Sequence, residues 1–210
     1  MATAVERLSK TPQREDTRRK ILDSAAQVFA SKGFYGSVVD DIVKASGTSK
    51  GAVYFYFESK EQIFFSLVED YVTTLAQEMH LAVQRGRGLI GQVEATVATL
   101  VRSFHAHPAL ARIVLLDWPM TGAEFQGKRI ALKGMLVEVL RGYLDRAVED
   151  GRIDAQDTEL AAYVWIGAIG EVVVRWLNTG RPAPLEDVIV PLTRLLLSSV
   201  GLVPTASPAT

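Results

Sequence analysis

Between Thr48 and Lys60 the chain gathers side chains suited to holding a polyanion and reading its surface. Thr48 and Ser49 supply hydroxyls, Lys50 and Lys60 supply cations, and Tyr54, Phe55 and Tyr56 form an aromatic run. Glu58 is the lone acid in the stretch. Lysines and short hydroxyls donate to phosphate oxygens, and a lysine also donates to O6 and N7 of guanine. Ala52 is sized to touch a thymine methyl. Gly51 has no side chain, so the backbone there can come close to DNA. Tyr56 and Lys60 are placed to reach the flanking backbone, and Ser37 to do the same from the preceding helix. These ten positions, Ser37 included, are the candidate DNA contacts.

Such residues need a rigid support, and the flanking sequence supplies one. Val38, Val39, Ile42, Val43 and Ala45 have helical spacing and stop at Gly47; a second short helix starts at Thr48 or Ser49. Two short helices joined by a tight glycine-containing turn make a helix-turn-helix, whose second helix lies in a major groove. Positions four apart share a helix face. Val53 and Phe57 are therefore the buried pair, facing Phe29 and Ile42, whereas Lys50 with Tyr54 and Ala52 with Tyr56 occupy other faces. Upstream, Ile21, Leu22, Ala25, Ala26 and Phe29 mark a helix that starts at Thr11-Pro12, with a capping hydroxyl and a proline in its first turn. Gly33 ends it as a left-handed cap, and Ser37 caps the next helix. Residues 1–10 are expected to be a flexible arm and 11–60 the helix-turn-helix domain. A capping box of Ser59 and Gln62 opens a long helix through Ile63, Leu67, Tyr71 and Leu75 that stops near Gly86 and Gly88.

Helical patterns continue over roughly 90–106, 108–116, 124–149, 156–178 and 185–200. Breaks fall at Pro108, at Pro119 with Gly122, at Gly151, and from Gly180 to Pro184. No alternating strand appears. The predicted fold is all-α: three short helices, a long connecting helix and about five larger ones, about nine in total. The larger helical domain spans 61–203, and residues 204–210 are expected to be a disordered tail.

Composition removes several chemistries. The chain has no cysteine, which excludes disulfides, thiol catalysis and zinc-thiolate sites. Three histidines, His80, His105 and His107, leave little for a metal site; none is expected, nor any cofactor. No nucleophile–base set, metal motif or phosphate loop is present, so no catalytic residue is assigned and an enzyme is not expected. No uninterrupted apolar run has the length of a membrane span, and the polar N-terminus lacks a signal-peptide core, so a cytoplasmic protein with no membrane partner is expected. The net charge of −1 is uneven, with +3 over residues 1–60 and −4 over the rest, which suits an anionic partner at the N-terminal end.

The run from Thr17 to Ile63, TRRKILDSAAQVFASKGFYGSVVDDIVKASGTSKGAVYFYFESKEQI, closely resembles the DNA-binding domain of the TetR family of bacterial transcriptional regulators. The landmarks are Ala25, Ala26 and Phe29, then Gly33 and Phe34, then Asp41-Ile42, Ala45, Gly47 and Ser49-Lys50-Gly51. Tyr54, Tyr56-Phe57 and Lys60-Glu61 complete them. Valines stand at 38 and 39 where the family often has threonine, and tyrosine at 56 where it often has histidine. The resemblance implies a homodimer whose larger C-terminal domain binds an effector and releases DNA. The implied function is a repressor that binds a palindromic double-stranded operator.

In the C-terminal region a pocket for a small apolar or aromatic effector is read from Phe104, Trp118, Met120, Phe125, Tyr163 and Trp165; plain core is the alternative reading of the same aromatics. A two-fold interface is read from Val164, Gly167, Ala168, Glu171, Val172 and Arg175 on one helix. Val188, Leu192, Leu195 and Leu196 on the last one complete it, with a monomer core as the alternative. Glu171 and Arg175, four apart, are expected to pair. A helical ligand-binding dimer without DNA readout, or an enzyme, are the competing functions.

Overall fold

The structure is a computed structural model and describes residues 4–117 and 125–202. Every regular element in it is helical. Helix α1 covers Ala4–Gly36, with its helical geometry broken at Gly33 (φ 71°, ψ 167°). Helix α2 (Val39–Ser46) ends on Gly47 in the left-handed region, φ 61° and ψ 23°. Helix α3 (Lys50–Tyr56) is capped by Ser49, whose Oγ accepts from the Ala52 N–H at 3.1 Å. Helix α4 (Lys60–Arg85) follows. Both glycines sit where a Cβ would be strained, which is why each expected break falls where it does.

Two expectations change at the N-terminus. The backbone is helical back to Ala4, so Thr11-Pro12 is not a helix start. Pro12 lies within α1 although it has no N–H for the helix ladder. Ser37 does not cap α2. The cap is Val38, whose N–H donates to Asp41 Oδ2 at 3.2 Å, and the Ser37 hydroxyl donates to the Phe34 carbonyl at 2.8 Å.

The chain divides into two compact units, residues 1–70 and 71–210. In the first, Ile21, Phe29, Ile42, Val53 and Ile63 have no exposed surface. The Phe64 ring meets Phe29 at 5.3 Å and Phe34 at 4.9 Å, both edge-on. Burying each of these side chains contributes about 1.5–3 kcal/mol before the ordering entropy is subtracted.

In the second unit α5 (Gly88–Ala106) leads to α6 (Pro108–Arg112), which runs into a π-helical turn at Ile113–Asp117. The expected break at Pro119 and Gly122 lies outside the described residues, as does the tail at 204–210. Helices α7 (Gln126–Glu149) and α8 (Thr158–Thr179) come next, and a 3₁₀ turn at Leu185–Val188 opens α9 (Ile189–Ser199). Asp157 caps α8 by accepting from the Leu160 N–H at 2.8 Å. The α4–α5 turn is so close that a Cβ on Gly86 would lie 2.5 Å from Gln92 Cα. Among the described residues α8 is the one helix long and apolar enough to cross a membrane by length and composition, with a mean hydropathy of 1.5. Its Ala162, Trp165, Ile169 and Val173 are buried within the unit.

Candidate nucleic-acid interface and ligand cavity

Helix α3 divides its faces as the spacing requires. Val53 and Phe57 are buried at 0% and 2% exposure, which anchors the helix to α1 and α2. Lys50, Gly51, Tyr54 and Phe55 are exposed, and Ala52 and Tyr56 are half-buried. Tyr56 stacks edge-on against Phe55 at 5.1 Å, and the Arg14 guanidinium lies 5.7 Å from the Phe55 ring. Thr48 Oγ1 is 2.7 Å from Ser46 Oγ, which fixes the turn between the helices. The exposed face thus combines one ammonium, an open backbone and aromatic edges, the set a major groove can accept.

Lys50 Nζ forms an ion pair with Asp40 Oδ1 at 2.8 Å, and the carboxylate beside it raises the lysine pKa. Asp40, in the first turn of α2, is a member of this surface that sequence reasoning missed.

Two expected phosphate contacts have other work. Ser37 is fully buried, so its hydroxyl is closed off from DNA. Lys60 Nζ donates to the Phe34 carbonyl at 2.7 Å and the Ser37 carbonyl at 2.9 Å, and lies 4.4 Å from the Phe34 ring centroid. It clamps the end of α1 to the start of α4. Lys60→Ala is expected to leave both carbonyls without their charged donor, at a cost of about 1–3 kcal/mol. A thermal melt reads this as lower stability of the residue 1–70 unit. Unchanged stability with a shallower salt dependence of DNA binding would instead mark a phosphate contact.

The second unit holds a cavity of about 360 Å³. Helix α5 contributes Leu100 and Phe104 to its wall, and the π-helical turn contributes Val114 and Leu115. Val72 of α4, Ile130 and Leu136 of α7, and Ile166, Ile169 and Val174 of α8 complete the apolar lining. Arg129 and Lys133 stand on the α7 side and Glu171 on the α8 side. Gly167 and Gly170 leave room that side chains would take. The wall is aliphatic, with Phe104 the single aromatic among the described residues.

This changes the expected pocket. Phe104 lines it. Trp165 does not: it is 1% exposed in the core, and its indole N–H donates to Ser199 Oγ at 3.0 Å, joining α8 to α9. Tyr163 is on the surface with Lys133 Nζ 5.8 Å from its ring, and Phe125 precedes α7 away from the cavity wall. Trp118 and Met120 lie outside the described residues.

Of the expected interface residues, Val164 and Leu195 are exposed at 52% and 68%, beside exposed Arg175. Ala168, Val172 and Val188 are half-buried. Gly167 and Glu171 are exposed at the cavity. Leu192 and Leu196 are 6% and 4% exposed and belong to the protomer's own core. Among the described residues no ion pair joins Glu171 to Arg175. His105, at the end of α5, meets Glu186 through Nδ1 at 2.5 Å and packs edge-on against Trp176. This contact lowers the Glu186 pKa.

Comparison with known proteins places these two surfaces in context. The model of the tetR family of bacterial regulatory proteins matches residues 21–67, and that of the tetracyclin repressor-like C-terminal domain matches residues 92–199. The fatty acid metabolism regulator protein of Bacillus subtilis (strain 168) is 25% identical over 190 residues, covering 90% of this chain and 97% of the relative. The transcriptional repressor KstR2 of Rhodococcus jostii (strain RHA1) is 26% identical over 193 residues, covering 91% and 94%. Among solved structures, the fatty acid degradation regulator FadR from Bacillus halodurans superposes with a TM-score of 0.83 at 24% identity, covering 88% of this chain and 96% of its own. FadR from Bacillus subtilis in complex with stearoyl-CoA superposes with a TM-score of 0.81 at 23% identity, covering 87% and 98%.

Proposed function

The chain belongs to the tetR family of bacterial regulatory proteins, and from that premise we propose that it is a cytoplasmic transcriptional repressor released from DNA by an aliphatic effector with an anionic head. Residues 11–60 form the reading domain in this account, and 61–203 the effector and dimer domain. A homodimer closes over exposed Leu160 and Val164 and half-buried Ala168 of α8 and exposed Val190 and Leu195 of α9. It presents two α3 helices to half-sites about one 10-bp turn or a multiple of it apart.

The observation that carries the effector assignment is the cavity. Aliphatic walls suit an acyl chain, and Arg129 and Lys133 suit an anionic head such as a carboxylate or the phosphates of a coenzyme A thioester. An aromatic effector is less well matched than an acyl one, because Phe104 stands alone among the described wall residues. The effector acts through its higher affinity for the state that does not bind DNA.

The test begins with a duplex selected from random DNA by the full-length protein. Stearoyl-CoA is expected to lower affinity for it about 5- to 150-fold, the range of typical couplings. Lys133→Glu is expected to weaken that response without altering ligand-free binding, read by fluorescence anisotropy. Operator affinity indifferent to stearoyl-CoA and to free stearate would overturn the effector assignment.

A further inference from the structure

The first turn of α2 carries two neighbouring carboxylates with different work. Asp41 accepts from the Val38 N–H at 3.2 Å and from Lys32 Nζ at 2.7 Å, so it both caps α2 and ties it to α1. Among the described residues Asp40 has no backbone partner; its carboxylate meets Lys50 Nζ at 2.8 Å. The two side chains are 55% and 58% exposed, on the surface that presents α3. An ion pair this open to water adds little to stability. Its effect falls on what Lys50, the one cation of α3, can do with an approaching polyanion.

A phosphate drawn to Lys50 meets Asp40 beside it and is repelled by about as much as it is attracted. A base edge in the major groove is different. The amino group of cytosine or adenine donates to a carboxylate, while guanine O6 and N7 accept from an ammonium. The pair therefore makes good contacts at a base edge and none of value along the phosphate backbone. We propose that Asp40 is a specificity-determining residue: by holding Lys50 in a neutral pair, it removes the reward for binding arbitrary DNA and leaves the reward for a matching base step. This rests on the DNA-binding reading above.

The experiment compares wild type, Asp40→Asn, Lys50→Ala and the double variant, each full length. Each is measured on the selected duplex and on an unrelated duplex of equal length over a range of salt. Asp40→Asn is expected to bind the unrelated duplex roughly tenfold tighter near 0.1 M salt, the scale of one more phosphate neutralised, with a log–log salt slope steeper by about 1. Its ratio of specific to non-specific affinity falls, and its melting temperature stays at the wild-type value. In the Lys50→Ala background the same substitution loses that gain, because it acts through the lysine. An unchanged specificity ratio, or a gain that persists without Lys50, overturns the proposal while leaving the regulator reading intact. Failure of the wild type to select any sequence overturns both.

Discussion

Trp165→Ala is expected to cost about 3–5 kcal/mol of stability, the usual range for emptying a large aromatic site in a core. Trp165 heads the fully buried side chains, at 1% exposure on the inner face of α8, and its indole N–H reaches Ser199 on α9. Alanine removes the ring, opens a void between the two helices and leaves Ser199 Oγ without that donor. For a chain of this size the loss corresponds to a melting temperature lower by about 6–20 °C. Urea or thermal denaturation followed by circular dichroism measures it. The sequence reading placed Trp165 against a ligand; a variant of normal stability with an altered effector response would restore that placement.

Gly170→Met is expected to produce a repressor that no longer answers its effector. A Cβ at Gly170 would lie 3.5 Å from Leu115 Cδ2, an ordinary contact, so the backbone accepts a side chain there. The rest of a methionine extends along the cavity wall that Gly170 helps to form and occupies space that the proposed acyl effector would take. Replacing a mid-helix glycine also removes a penalty of about 0.5–1 kcal/mol, so the variant should be at least as stable as wild type. Calorimetric titration with stearoyl-CoA should show binding weakened by two orders of magnitude or lost, corresponding to about 2.7 kcal/mol or more. Ligand-free operator binding should be unaltered. A Gly170→Met protein released by stearoyl-CoA as readily as wild type would locate the effector elsewhere.

The helix-turn-helix was legible because each of its decisions is local. Gly33 and Gly47 take positive φ, Ser49 caps α3, and the Val53/Phe57 pair is buried where a four-residue spacing puts it. What escaped the sequence depends on residues far apart along the chain. Nothing near Ser37 announces that a lysine 23 positions later will claim its carbonyl, and so both were read as phosphate contacts. The Asp40–Lys50 pair needs the angle between α2 and α3, which periodicity does not contain. The expected pocket residues differ from those lining the cavity for a related reason. Helix α8 is apolar on several faces but buries one stripe of them, and spacing alone does not say whether a face meets another helix, a void or solvent. Trp165 and Phe104 look alike in sequence, yet one fills the core and the other borders empty space. Leu192 and Leu196 show the same ambiguity on α9, where an apolar spacing serves the protomer's own interior.

The outward apolar residues of α8 and α9 carry a last consequence. Leu160 and Val164 on one helix and Val190 and Leu195 on the other are each more than half exposed, at 61%, 52%, 58% and 68%. If a second copy covers them, part of the chain's stability comes from association and is shared between two molecules. That part obeys mass action, growing as the protein accumulates and fading on dilution. The number of molecules in a cell then sets how much folded, paired regulator exists, as well as how often an operator is visited. A regulator made in few copies would work near the lower edge of its own assembly, where small changes in expression have large effects on occupancy.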